Sequence, residues 1–261
     1  MKKFYSFFVI LLLLVGILAG CGNQERNTKT NEPVEITISA AASLQDALEE
    51  LKATYKKEHD TIKILYNFGG SGALQQQILQ GAPVDLFFSA AQDKFDTLVE
   101  KGIIDKKQGT NLLANDLVLI VPKKNEKHIQ SFEGLKQAGK IALGTPETVP
   151  AGQYGVETLK TMQLWEAIES KMVYTKDVRQ VLTYAETENV DAGIVYKTDA
   201  LSSEKVDIVS VANDDTHTPI IYAVGIIKNS KYTKEVEDFY NFLQSDEAMN
   251  VFKKYGFKEA H

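Results

Sequence analysis

Four times in this chain an apolar strand runs into a turn of small or polar residues and then into a helical pattern. The longest instance starts from an apolar run at 140–144. It passes through Thr145-Pro146-Glu147-Thr148-Val149-Pro150-Ala151-Gly152-Gln153-Tyr154-Gly155 and continues as a helix over 156–162. Two prolines stiffen that turn, and Ala151-Gly152 leaves room for a close approach to the backbone. A strand over 34–40 turns at Ala41-Ala42-Ser43 into a helix whose Leu44, Ala47, Leu48, Leu51 and Tyr55 share one face. Ser43 reads as its N-cap, with Asp46 completing a variant of the capping box. A strand over 62–68 leads through Gly69-Gly70-Ser71-Gly72 to a helix that stops at Gly81. A strand over 171–174 precedes Asp177, which caps a helix carrying Val178, Val181, Leu182 and Ala185. Strands alternating with helices in this way predict an α/β fold, with largely parallel sheets covered on both faces.

Two apolar runs, 117–121 and 219–227, bracket the middle third of the chain. They read as the two crossings between lobes. On that reading the first lobe is discontinuous, 34–115 and 221–261, and residues 116–220 form the second. A ligand then belongs in the cleft between them, near the carboxyl ends of the strands.

Ahead of the fold, Lys2 and Lys3 precede an apolar segment that ends in Leu18-Ala19-Gly20-Cys21. Residues 1–20 therefore read as a secretory signal. The ending resembles the lipobox of bacterial lipoproteins, which implies cleavage before Cys21 and a lipid on its thiol. Cys21 is the only cysteine, so the chain cannot build a disulfide framework. Residues 21–33 are polar and read as a flexible tether. Loss of residues 1–20 removes only Lys2 and Lys3, so the formal charge of −6 becomes −8. A net-acidic surface argues against nucleic acid as a partner.

Each helix start offers backbone N–H groups to an anion, reinforced by the helix dipole. Ser43 and Ser71 add hydroxyls, Ala151, Gly152 and Val178 add amides, and Tyr196, just after a buried strand at 192–195, adds a phenol. Each signal also has an ordinary reading as a cap, a turn or a packed aromatic. Catalytic constellations are harder to assemble. His59, His128, His217 and His261 lie in no metal-binding spacing, and the chain has neither a nucleophile elbow nor a phosphate-binding loop of the Walker type. Asp177 and Asp191 read as caps or surface groups. Asp85, at a strand start, reads as a residue that ties loops together through backbone N–H groups. Arg179 is the only arginine in the second half and reads as salt-bridged or solvated.

Six segments occurring in order carry a family resemblance. They are Ala40-Ala41-Ala42-Ser43-Leu44, Phe68-Gly69-Gly70-Ser71-Gly72-Ala73-Leu74, the 81–90 segment, Val149-Pro150-Ala151-Gly152-Gln153-Tyr154, Asp177-Val178-Arg179 and Gly193-Ile194-Val195-Tyr196. Together they resemble the molybdate-binding proteins of ABC importers, from about residue 34 to 258. The resemblance implies a type II periplasmic-binding-protein fold: two α/β lobes with mixed sheets joined by two crossing strands, with the ligand in the interlobe cleft. It implies oxyanion contacts at Ser43, Ser71, Ala151, Val178 and Tyr196, with molybdenum present only as the centre of molybdate. It implies no cofactor and no catalytic residue, and a monomer held at the outer face of the cell membrane by its lipid. Its partners would be an importer permease and, through it, an ATPase. The glycine-rich 69–72 turn departs from relatives richer in Ser and Ala. A receptor for sulfate or another tetrahedral oxyanion, or an extracytoplasmic enzyme on the same fold, stays open as an alternative.

Overall fold

The computed structural model describes residues 33–260. The expected signal segment, Cys21 and all but the last residue of the expected tether lie outside them. In chain order the elements are β1 (Val34–Ala41), α1 (Gln45–Tyr55), β2 (Ile62–Gly69), α2 (Ser71–Leu79), β3 (Leu86–Ser89), α3 (Gln92–Glu100), β4 (Ile104–Ala114) and β5 (Leu117–Pro122). Then come β6 (Ile141–Gly144), α4 (Pro150–Thr161), α5 (Trp165–Ile168), β7 (Met172–Thr175), α6 (Val178–Glu186), β8 (Ala192–Tyr196) and α7 (Lys197–Leu201). The chain finishes with β9 (Val206–Val211), β10 (Ile221–Ile227), α8 (Thr233–Leu243), α9 (Asp246–Lys254) and β11 (Lys258–Glu259).

The strands form two mixed sheets. The first has the order β11-β4-β10-β3-β1-β2, and the second β7-β6-β8-β5-β9. Within the first, β1 runs parallel to β2 and β3, while β10 runs antiparallel to β3 and β4. Within the second, β6 runs parallel to β7 and β8, and β5 is antiparallel to β8 and β9. The two apolar strands therefore sit where the chain changes sheet. β5 is the first strand of the second sheet, reached through Asn115 and Asp116, and β10 is the first strand after the return. Both are buried on their two faces, which is why they read as continuous apolar runs rather than alternating ones.

One long polar strand has no counterpart in the sequence reading. β4 carries Asp105-Lys106-Lys107-Gln108, and much of its length is exposed or half-buried. Its strand character comes from its neighbour. Gly109 and Gly225 face the ring of Phe95 on α3, where added methyls would come within 2.6 and 2.7 Å of Phe95 Cζ. The helix thus seats an aromatic ring directly on bare backbone. Two further short helical segments lie in the second half. The first is a 3-10 turn at Glu133–Gln137, and the second is α5 followed by a 3-10 turn at Glu169–Lys171.

The main apolar core runs through both sheets. A second cluster, including Leu74, Ile78, Phe87, Phe95 and Ile104, lies under α2 and α3 on the other face of the first sheet. Asp85 anchors this end as its position implied. Its carboxylate accepts from Thr37 N at 2.7 Å and Ser230 Oγ at 2.7 Å.

Candidate functional site

Ser43 does not cap the helix that follows it. It sits inside a 3-10 turn at Ala42–Leu44, Leu44 is the residue before α1, and no side chain caps that end. The extra turn lowers the hydroxyl into the interior, where Ser43 Oγ lies 2.8 Å from Tyr222 Oη on β10. Asp46 likewise closes no capping box; it pairs with Arg179 at the start of α6. Ser71 is the first residue of α2, after Gly70. It is fully buried, and its Oγ accepts from the Ala90 amide at 2.9 Å. That bond fills an acceptor position and leaves the hydroxyl proton uncommitted.

From the second sheet come Ala151, Val178 and Tyr196. Ala151 is the second residue of α4, behind Pro150. Val178 opens α6, whose Asp177 cap accepts from Gln180 N at 2.9 Å. Amides in a helix's first turn have no partner within the helix. Gly152 plays a different part from the one its sequence suggested. Its amide donates to Val149 O at 2.9 Å, and a methyl there would lie 1.9 Å from Gly144 O. The bare backbone at that position is used to pack α4 against β6.

Tyr196 ends β8 and is about 1% exposed, yet its phenol oxygen has no hydrogen-bond partner among the described residues. Its ring meets the Tyr222 ring edge-on at 5.7 Å. Burial, first of all, pushes the phenols of Tyr154, Tyr196 and Tyr222 above their ordinary range, so all three keep their protons.

The five positions are joined by short links across the two sheets. Ser71 reaches α4 through Ala90, whose carbonyl accepts from Tyr154 Oη at 3.4 Å. Ser43 reaches Tyr196 through Tyr222. Val178 neighbours Arg179, which pairs with Asp46 beside Ser43. The turn before α4 touches α2 directly, with Gly72 N donating to Thr148 O at 3.0 Å. All five residues are buried, none more than about 4% exposed. A cavity of about 650 Å³, lined by Asn115, Asp116, His217 and Lys258 among others, touches none of the five.

The site is rich in donors and holds little free positive charge. Arg179 is occupied by Asp46, by Ser202 Oγ at 3.0 Å and by Asp199, whose Oδ1 lies 3.0 Å from Arg179 Nε. The last pair is close but not in hydrogen-bonding alignment. Burial therefore outweighs the guanidinium, and the Asp199 carboxyl is pushed up to about 7. Asp177 serves as a cap, while Asp191, just before β8, accepts from Gly139 N at 2.6 Å and Lys140 N at 3.0 Å and so braces the approach to β6. Among the described residues no group of His, Cys, Asp and Glu is arranged to hold a metal ion.

Sequence reasoning missed Tyr222, Asn115 and Tyr154 as polar members of this region. Tyr222 carried the one available signal, since it is the only polar side chain in the apolar 219–227 run.

Residues 36–258 match the model of the bacterial extracellular solute-binding protein family. A Bacillus subtilis protein that carries the name "Putative ABC transporter substrate-binding lipoprotein YvgL" is 56% identical over 98% of this chain and 99% of its own length. The molybdate-binding protein ModA of Haemophilus influenzae is 36% identical over 85% of this chain and 89% of its own. In three dimensions the periplasmic molybdate-binding protein of Azotobacter vinelandii superposes with a TM-score of 0.77, at 21% identity, over 87% of this chain and all of that one. The fold is that of the periplasmic binding proteins, two α/β lobes each built on a mixed sheet.

Proposed function

This chain belongs to the bacterial extracellular solute-binding proteins, and we propose that within that family it captures molybdate, and tungstate with it, for an ABC importer. The oxyanion is held by the hydroxyls of Ser43, Ser71 and Tyr196 and by the amides of Ala151 and Val178. The observation that carries this reading is the buried Tyr196 phenol, a protonated donor with no partner among the described residues. Beside it, Ser71 has its acceptor side taken by Ala90 N and its proton to give. Fixed donors and helix starts take the place of water around a dianion without a matching cation. A cage of donors favours a fully deprotonated tetrahedral anion, since a proton on the ligand would need an acceptor.

The same chemistry serves sulfate, and cage size alone separates the two. In our reading the protein transforms nothing. It closes its lobes around the anion and presents the closed form to a permease, which is coupled to an ATPase. The Leu18-Ala19-Gly20-Cys21 ending then tethers a monomer by lipid to the outer face of the cytoplasmic membrane.

A thermal-shift panel of molybdate, tungstate, sulfate, phosphate and chromate tests the reading. Ligand at about a hundred times its dissociation constant adds roughly 2.7 kcal/mol of stability, a rise of several degrees. We expect that rise for molybdate and tungstate. A rise for sulfate alone makes the protein a sulfate receptor, and no rise for any of them removes the oxyanion reading.

A further inference from the structure

Ser43 differs from Ser71 in that no backbone amide fixes the direction of its hydroxyl proton. Its partner is another hydroxyl, Tyr222 Oη at 2.8 Å, and either oxygen is able to donate. The surroundings of Tyr222 remove the ambiguity. Asn115 lies in the two-residue link between β4 and β5. Its Oδ1 accepts from Asp116 N at 2.9 Å, which fixes the orientation of the amide. Nδ2 therefore faces inward, donating to Thr198 Oγ1 at 2.9 Å and to Tyr222 Oη at 3.2 Å. Tyr222 Oη is thus already an acceptor. Its own proton is retained, because burial pushes the phenol well above its ordinary range. Among the hydrogen bonds of the described residues, Ser43 Oγ is the one acceptor available to that proton. Donation in the other direction makes the same bond but strands a fully buried phenol proton that has no second acceptor, whereas the Ser43 proton has the proposed anion to go to.

We propose that Tyr222, oriented by Asn115, is a positioning residue that commits the Ser43 hydroxyl to donating into the oxyanion site. The inference rests on Ser43 being an anion contact. Protons run in one sense from the link to the ligand: Asn115 donates to Tyr222, Tyr222 to Ser43, and Ser43 to the anion. Without this order Ser43 can turn its proton to Tyr222 and present a lone pair to a dianion. With it, both serines have their acceptor sides filled, Ser71 by Ala90 N and Ser43 by Tyr222. The relay also begins between the lobes. Asn115 holds Tyr222 of the first sheet and Thr198 of α7 at once, and its own amide donates to Ile220 O at 3.4 Å in the returning link.

The test is a double-mutant cycle of Tyr222→Phe and Ser43→Ala, read by titration calorimetry with molybdate, with the ligand-free melting temperature of each variant alongside. Tyr222→Phe is expected to weaken molybdate binding about tenfold when Ser43 is present and less than twofold in the Ser43→Ala background. Asn115→Ala, which empties the acceptor side of the phenol oxygen and leaves its proton in place, is expected to lose less, about threefold, and again only with Ser43 present. Losses that multiply independently of Ser43 mark Tyr222 as a packing residue and overturn the proposal, as does wild-type affinity in Tyr222→Phe. Wild-type protein that fails to bind molybdate overturns the functional reading itself, a result distinct from an additive cycle.

Discussion

A buried phenol with no partner is a cost that folding carries until something arrives to accept its proton. Among the described residues Tyr196 has no hydrogen bond through its hydroxyl at all, whereas Ser71, with its proton also free, has Ala90 N engaging its oxygen. The two residues should therefore respond differently to losing their hydroxyls. Tyr196→Phe is expected to leave the ligand-free melting temperature unchanged or higher, while molybdate affinity in calorimetry falls by about 1–3 kcal/mol. A fall in ligand-free stability with unchanged affinity counts against Tyr196 as an anion contact. Residue types at strand-to-helix turns were enough to single out Ser43, Ser71 and Tyr196 as candidates, since a hydroxyl there follows a recognisable local grammar. Tyr222 was hidden because it sits inside an apolar strand, where period and composition both describe packing. Ser43 was legible as a residue but not as a role. Whether a serine caps a helix or drops one turn into the interior depends on the 3-10 turn at Ala42–Leu44, which no side-chain pattern signals.

At the scale of elements, the glycines around Ser71 make room for protein. A methyl on Gly70 would lie 2.6 Å from Thr148 O, and one on Gly72 would lie 2.9 Å from Thr148 Cα and 3.0 Å from Glu147 O. These neighbours are backbone, so they yield only if the whole 145–150 turn moves away from α2. Gly72→Ala is accordingly expected to weaken molybdate binding by about 1–3 kcal/mol, although it removes no group proposed to touch the anion. Calorimetry gives the loss, and unchanged affinity would show that this contact is not needed in the bound form. The sequence marked the 69–72 turn as a place of close approach, but what approaches could be read only once two distant segments were seen together. β4 shows the same limit from the other side. Its polar run is a strand because β10 and the Phe95 ring pair with it and cover it, and neither fact is local to residues 104–114.

At the scale of the molecule, the α/β class and the two places where the chain changes sheet were legible, because a strand buried on both faces leaves an unbroken apolar run. The overall charge of −6 opposes the approach of a dianion, while the proposed site attracts it only at short range. Salt screens the first effect more than the second. The association rate of molybdate, followed by stopped-flow fluorescence, is expected to rise by roughly twofold or more as ionic strength goes from about 10 mM to about 150 mM, where the Debye length shrinks from about 30 to about 8 Å. A rate that falls would put local positive potential in command. The strand order also fixes a sequence of events for a newly made chain. β4 pairs only with β10 and β11, and β3 has β10 as its second neighbour. A nascent chain that has emerged only as far as β9 holds the strands of the second sheet, while its first sheet has lost the strand that belongs at its centre. The half of the molecule that begins first is completed last, by pairings that span more than a hundred residues. Contacts so distant along the chain make for slow closure. They leave β4 unpaired while about a hundred further residues are made, so β10 and β11 decide when the protein stops being a partner for its neighbours and becomes a finished molecule.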